Sequence, residues 1–312
     1  MENKKEKIAA VVVTYNRKQL LKECLDALLS QTRPLDSIIL IDNASTDGTP
    51  EFLKENGYLD NIKIDYVRLS ENTGSSGGFY KGVKRGYEKE YDWLWLMDDD
   101  GKPLKDTLEL LLREAKKNNL KVINSVVISD LKEETLSFGD KKFKKVEDLK
   151  KHPSFKNDIL WNIATPFNGI LIHQEVIKIV GYPNKNYFIY GDEVDYFFRI
   201  KKFFEIGTYI KALFLHPPCK LKKVNFLGIK FHVFWREGSL LNFFNIRNFC
   251  ILFRTYPEYI SVKDFLKEIV KRLIFICFFT KEKIKNLKLF FFALFYGLRK
   301  KFEIPKMLKS NS

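Results

Sequence analysis

The feature that most restricts this chain is an alternation of two periodicities through its first half. Short β-branched runs recur, each followed by a segment whose apolar residues return at helical spacing. Ile8–Thr14 is the first such run. Lys18–Gln31 follows, with Leu20, Leu21, Cys24, Leu25, Leu28 and Leu29 gathered on one helical face. Ser37–Asp42 predicts a second strand, Pro50 opens a short helix, and Ile62–Leu69 predicts a third strand. Helix Ser76–Glu90, strand Trp93–Met97, helix Asp106–Lys117 and strand Lys121–Ile128 continue the series. This order predicts an α/β fold, a mostly parallel sheet flanked by helices. Residues 130–157 are lysine-rich and poorly periodic and predict a variable loop or flap. Order returns with strand Phe167–His173, helix Glu193–Phe204 and strand Thr208–Leu215.

In a parallel sheet, chemistry collects in the loops at the carboxyl ends of the strands. Here those loops are polar in succession: Thr14-Tyr15-Asn16-Arg17, then Asp42-Asn43-Ala44-Ser45, then Asn72 to Gly78, then Asp98-Asp99-Asp100-Gly101. The glycines of the third loop run into a helix, a junction where backbone N–H groups can approach a phosphate. That loop lacks the GxGxxG spacing of a dinucleotide site and the lysine of a P-loop, which argues against a dehydrogenase or an ATPase. Three successive carboxylates after the apolar strand Trp93–Met97 repel one another unless a cation neutralises them. Asp98 and Asp100 fall on the same side of an extended segment and can share a metal; a solvated acidic turn is the alternative. Trp93 and Trp95, inside the apolar strand, are expected in the core.

Charge and cysteine content set further bounds. The net charge of +15 and the 28 Phe residues together suggest an anionic, partly greasy partner such as a membrane surface. Nucleic acid is not expected, because the lysines are dispersed and no groove-reading motif occurs. Cys24, Cys219, Cys250 and Cys277 show no pairing pattern and predict reduced, structural thiols. The apolar run after Lys7 is too short for a signal segment, and no stretch reaches the roughly 18 apolar residues of a spanning helix. A cytoplasmic protein is expected, peripheral on the inner face of the cell membrane.

Taken together, VVVTYNR, IDNASTDGT, ENTGSSGGF and WLWLMDDDG, spread from Ile8 to Lys105, resemble the catalytic domain of glycosyltransferase family 2. The Asn-x-Gly-x-x-Gly-Gly loop with a triple Asp is similar to the galactofuranosyl- and rhamnosyltransferase branch, with Ser75 where that loop usually carries a further glycine. The resemblance implies the Rossmann-like GT-A fold over 1–218, and the remaining 219–312 form a helical, basic region that meets the acceptor or the membrane. It implies that Thr14, Tyr15, Arg17, Asp42, Asn72, Gly77, Gly78 and Asp99 border a UDP- or dTDP-sugar, with Asp42 on the base. Asp98 and Asp100 would take Mn²⁺ or Mg²⁺.

In Tyr190-Gly191-Asp192-Glu193-Val194-Asp195-Tyr196, an acidic cluster opens a helix, a placement that the helix dipole favours on its own. By the resemblance, Glu193 is the general base of inverting transfer, Asp192 contacts donor or acceptor, and Asp195 supports the helix. The family more often carries Asp at the position of Glu193. His216 follows the last predicted strand, where relatives place a metal-binding His; His152, His173 and His232 have no such support. Phe243-Phe244-Asn245-Ile246-Arg247-Asn248 resembles a segment of the same branch, and Arg247 faces either a diphosphate or the interior of an aromatic helix. A galactofuranose donor is expected first and rhamnose next, with a glycan or polyprenyl-diphosphate-linked acceptor. A non-catalytic nucleotide-sugar or lipid-glycan binder on the same scaffold is the alternative, which the joint presence of Asp98, Asp100 and Glu193 disfavours.

From Val262 the chain changes character, with 13 Lys or Arg against 4 Asp or Glu around the apolar runs Leu273–Phe279 and Leu289–Leu298. Such segments suit helices lying among lipid headgroups with their cations snorkelling. A helical hairpin packed on the catalytic domain satisfies the same pattern.

Overall fold

The computed structural model describes residues 6–139, 142–218 and 221–305, so Cys219 lies outside the described residues. They divide between two compact units, one within Met1–Lys185 and Arg199–Cys219, the other within Asn186–Phe198 and Lys220–Ser312. In the first unit the strands are β1 (Ile8–Thr14), β2 (Ser37–Asp42), β3 (Ile64–Arg68), β4 (Trp93–Asp98), β5 (Lys102–Pro103), β6 (Val122–Asp130), β7 (Thr135–Leu136), β8 (Phe155–Lys156), β9 (Ile159–Trp161), β10 (Asn168–His173) and β11 (Gly207–Leu215). Its helices are α1 (Lys18–Leu29), α2 (Thr49–Glu55), α3 (Gly74–Glu88), α4 (Thr107–Lys117), α5 (Val146–Leu149) and α6 (Gln174–Val180), and α7 (Asp192–Lys201) crosses the boundary between the units.

One sheet organises this unit, in the order β3-β2-β1-β4-β10-β6-β11-β9-β8, with β5 on β11 and β7 on β6. The centre is parallel: β1 pairs with β2 and β4, β2 with β3, and β6 with β11. Between them β10 runs antiparallel to both β4 and β6, so the sheet is mixed around a parallel core. Every residue of β1 and of β2 is buried, as near-continuous apolar strands covered on both faces require.

The two faces of β1 meet different helices. Ala10 and Val12 join Leu21, Cys24, Leu25 and Leu28 of α1, Leu53 of α2 and Leu108 and Leu111 of α4 in the main core. Val11 and Val13 face α3, which approaches so closely that only glycine fits. A Cβ on Gly78 would sit 2.5 Å from Val13 Cγ1, and one on Gly82 would sit 2.3 Å from Val11 Cγ1. This helix starts at Gly74, two residues before the Ser76 predicted from sequence.

The described residues within 130–157 carry more structure than their composition suggests. Val146, Leu149 and Phe155, isolated apolar residues among lysines, pack with Leu136, Leu160 and Ile210 on Val126 and Ile128 of β6. They close a second small core, which lysine-rich periodicity concealed.

The second unit pairs a hairpin, β12 (Lys222–Phe226) with β13 (Ile229–Val233), and three helices, α8 (Leu241–Thr255), α9 (Val262–Phe279) and α10 (Lys283–Leu298). Its core is aromatic, with Trp235, Phe243, Phe244, Phe265, Phe275 and Phe290 buried together. Among the described residues, no helix is long and apolar enough to cross a membrane.

Candidate functional site

The carboxyl ends of β1, β2 and β4 bring three of the four polar loops together. Asp99 is buried directly after β4 and accepts a 2.7 Å hydrogen bond from Thr14 Oγ1 at the end of β1. Arg17 Nη1 reaches both Asp99 Oδ1 at 3.2 Å and Asp100 Oδ2 at 2.8 Å, while about half its side chain remains open to solvent. Burial pushes the Asp99 carboxyl up to about 6, against the Arg17 charge and the Thr14 hydroxyl, which favour its ionised form. Tyr15, next to Thr14, is exposed at the strand end.

Asp100 links this cluster to the end of β11. Its Oδ1 lies 3.3 Å from His216 Nε2, while His216 Nδ1 lies 2.7 Å from the carbonyl of Pro217. An Nδ1–H donating to that carbonyl leaves a lone pair on Nε2 in the neutral ring, so two acceptors face each other. Asp100 Oδ1 is moreover a buried oxygen without a hydrogen-bond partner. Either a proton on Nε2 or a cation held between oxygen and nitrogen resolves the conflict. Burial raises the Asp100 carboxyl, but a protonated His216 together with Arg17 carries it below the usual carboxylate range.

An oxygen and an imidazole nitrogen suit Mn²⁺ and also Mg²⁺. Asp98 precedes them on β4, with its backbone paired to Phe167 and its carbonyl accepting from Gly101 N. Among the described residues no group of three His, Cys, Asp or Glu side chains is gathered closely enough to hold a metal alone. A cation bound through one carboxylate and a substrate's phosphates needs no such group.

The glycine and asparagine positions of the third loop are packed against, or bonded to, their own neighbours. Gly77, like Gly78, is a close-packing residue: a Cβ there would lie 2.2 Å from Thr73 Oγ1. Asn72 Oδ1 accepts from Gly74 N at 2.8 Å and from Asn43 Nδ2 at 3.1 Å. Asp42, expected on a base, is fully buried; Oδ1 accepts from Ser45 N at 2.8 Å and Oδ2 from Tyr66 Oη at 2.7 Å. These bonds hold its own loop, and each carboxylate oxygen keeps a further lone pair for the base contact expected of it.

Sequence reasoning passed over the residues that brace these loops to one another. Asn43 donates to the Gly74 carbonyl at 2.8 Å and accepts from Thr73 N at 2.9 Å, stapling the loop after β2 to the start of α3. Asn16, in the left-handed region at φ 54°, accepts from Thr46 N at 2.7 Å and ties the loop after β1 to the loop after β2. The only available signal was that an Asn stands in each loop, a residue that tolerates positive φ and bonds backbone.

In the second unit, Asp192 and Glu193 begin α7, Asp192 buried and Glu193 half-buried. Asp195 accepts from Tyr256 Oη at 2.7 Å and from Tyr187 Oη at 3.3 Å, the helix-supporting role expected of it. The chain enters α7 through a run of left-handed residues, Phe188 at φ 69°, Tyr190 at 63° and Gly191 at 87°. Non-glycine residues hold such angles only when their surroundings over-determine them.

Arg247 and Asn248 of α8 supply that constraint. Asn248 Nδ2 lies 3.0, 2.8 and 2.7 Å from the carbonyls of Tyr187, Ile189 and Tyr190. Arg247 Nη2 donates to the Tyr187 carbonyl at 2.8 Å, Nε donates to Asn248 Oδ1 at 2.8 Å, and Nη1 donates to the Phe302 carbonyl. Arg247 is thus fully buried, with its guanidinium over the Phe244 ring at 4.9 Å. Burial pushes its pKa down to about 10, which leaves it charged at neutral pH. The aromatic-helix alternative of the sequence is the one observed.

The crystal structure of S. aureus TarS shares this fold, with a TM-score of 0.55 at 12% identity over 98% of this chain and 50% of that one. Among sequences, Glycosyl transferase family 2 matches residues 9–172, from the first strand to β10. The chain belongs to glycosyltransferase family 2. The galactofuranosyltransferase GlfT1 of Mycolicibacterium smegmatis is 32% identical over 250 residues, 78% of this chain and 82% of its own length. GlfT1 of Mycobacterium tuberculosis H37Rv is 30% identical over 78% of this chain and 81% of its own. The abequosyltransferase RfbV of Salmonella typhimurium is 37% identical over a shorter stretch, 33% of this chain and 31% of its own. Within the family the chain therefore resembles the galactofuranosyltransferase branch, and it is a glycosyltransferase.

Proposed function

We propose that this glycosyltransferase moves galactofuranose from UDP, with rhamnose on dTDP as the next candidate, onto a glycan or polyprenyl-diphosphate-linked acceptor in cell-surface polysaccharide synthesis. One observation carries the metal-dependent part of this proposal: Asp100 Oδ1 is buried without a hydrogen-bond partner and faces the imidazole of His216. Asp100 and His216, with Asp98, would hold Mn²⁺ or Mg²⁺ together with the donor's diphosphate. When bound, the cation neutralises charge building on the departing diphosphate.

The chain's own residues divide the remaining work. Arg17, half-exposed above Asp99 and Asp100, adds positive charge beside the diphosphate. Thr14 and Asp99 fix Arg17 and the strand end, and exposed Tyr15 offers a ring to the base. Asp42 would hydrogen-bond the base, and Asn72, Gly77 and Gly78 would line the ribose–diphosphate side, the roles the family resemblance implies. Glu193 is the general base, taking the proton from the acceptor hydroxyl as its oxygen attacks the anomeric carbon opposite the diphosphate, which inverts that centre. Asp192 contacts the reacting sugars. The net charge of +15 and the basic helices α9 and α10 support work on a lipid-linked acceptor at the inner face of the membrane.

The test is transfer from UDP-galactofuranose in Mn²⁺ by purified enzyme and by Asp98→Ala and Asp100→Ala. Activity lost in both variants, with folding retained by circular dichroism, is expected; activity equal to wild type removes the metal assignment.

A further inference from the structure

Resting on the membrane-side transferase proposed above, we infer that the β12–β13 hairpin tip and the end of α9 form one wedge that docks on an anionic lipid bilayer. The tip joins β12 to β13 through Leu227 at φ 49° and Gly228 at φ 82°. Two-residue turns with both central residues left-handed ordinarily use Asn, Asp or Gly at the first position. A leucine there is unfavourable for the turn, and it leaves its side chain in water, 87% exposed. Ile229 beside it is 67% exposed.

These residues do not stand alone. Phe226 at the same tip meets Phe278 in a tilted contact, 4.8 Å between ring centroids, and Phe279 edge-on at 6.4 Å. Phe278 is 62% exposed, Phe279 is also exposed, and Ile284 at the start of α10 is 73% exposed. The wedge thus gathers large apolar side chains from a hairpin and from a helix end in the same unit, where a fold gains nothing from exposing them.

The charge around the wedge selects the partner. Lys223 and Lys230 lie on the outer side of the hairpin with Asn225 and His232, and Lys222 is also exposed. Lys281, Lys283, Lys285 and Lys288 are exposed just beyond Phe279. The single carboxylate in these two segments, Glu282, is already paired with Lys285 at 3.1 Å. Apolar tips that enter the acyl boundary, ringed by ammonium groups at headgroup level, match an anionic membrane surface. An apolar protein partner would not use so many exposed lysines.

The experiment is flotation of the full chain with vesicles of equal phosphatidylglycerol and phosphatidylcholine, against vesicles of phosphatidylcholine alone, at low and high salt. Wild type should float with the anionic vesicles, less so at high salt. The double variant Leu227→Asp, Ile229→Asp should lower the apparent affinity at least about tenfold, and Lys223→Glu, Lys230→Glu comparably. Leu266→Asp, at an exposed apolar position elsewhere on α9, should not. Each variant should retain UDP binding, which separates failure of the docking surface from failure of the transferase reading. Wild type that stays off anionic vesicles overturns the inference, as does a hairpin variant that floats like wild type. A concentration-dependent dimer in sedimentation that the hairpin variant abolishes, without vesicle binding, would assign the wedge to a second copy of the chain and overturn it equally.

Discussion

Asn248→Ala probes how the second unit presents Glu193. The Asn248 amide has two hydrogens and stands within 3.0 Å of three carbonyls, so about two full hydrogen bonds are shared among Tyr187, Ile189 and Tyr190. A third bond, from Arg247 Nε to Asn248 Oδ1 at 2.8 Å, is also lost. At about 1 kcal/mol for each bond, the change removes about 3 kcal/mol, and the buried carbonyls left behind add to the loss. Those bonds hold a segment in which Phe188 and Tyr190 take left-handed angles that their own side chains disfavour, so the cost should fall locally on Tyr187–Asp195. Hydrogen exchange read by mass spectrometry should show amides of this segment exchanging about a hundredfold faster, since each 1.4 kcal/mol is worth about tenfold. Transfer should lose kcat while the donor KM stays near wild type, because the loop orients the proposed base and does not bind nucleotide. Exchange within threefold of wild type, or a loss confined to donor KM, would refute the positioning argument.

Further outcomes follow from other contacts. Gly78→Ala would force a methyl group against Val13 Cγ1, where a Cβ sits 2.5 Å away, and should cost about 1–3 kcal/mol in urea denaturation; unchanged stability would mean that α3 shifts freely. Asp65, bidentate to Arg85 at 2.6 and 2.7 Å, has its pKa lowered by that pair despite partial burial. Its contribution is present above the unfolded pKa of about 4 and lost as pH falls through the lower folded value. Asp65→Asn should therefore cost about 1 kcal/mol or less at pH 7, and the cost should shrink as the pH falls below the unfolded pKa; a penalty that does not shrink in acid would contradict the assignment. Glu193→Gln should keep UDP binding by calorimetry while losing transfer; loss of binding would give Glu193 a different role.

Much of the fold was written in periodicity. Strands β1 and β2 start and end at the residues predicted, because β-branched runs bounded by polar loops leave little freedom. The Thr14, Arg17, Asp99 and Asp100 cluster was legible because strand ends of a parallel sheet share one edge, whatever the distance between them in sequence. What stayed hidden depended on partners far along the chain. The need for glycine at 77 and 78 shows only once Thr73 and Val13 are seen beneath them. The hydrogen bonds that Tyr66 and Ser45 give Asp42 come from residues that the sequence does not mark. Arg247 reads equally as an anion site or a buried brace, and only the carbonyls of Tyr187 and Phe302 decide. The order within 130–157 was invisible because three or four apolar residues suffice to close a small core, too few to impose a period.

Whether the Asp98–Asp100 edge of the sheet, with His216, takes up a cation together with a nucleoside diphosphate is measured most directly by calorimetric titration with UDP, with and without Mn²⁺, of wild type and Asp100→Ala. Mn²⁺ should tighten UDP binding by about tenfold or more in wild type, a coupling of ordinary size between two ligands that touch, and Asp100→Ala should abolish that gain. Wild type that binds neither UDP nor dTDP in either condition, or binds UDP equally with and without Mn²⁺, would contradict it.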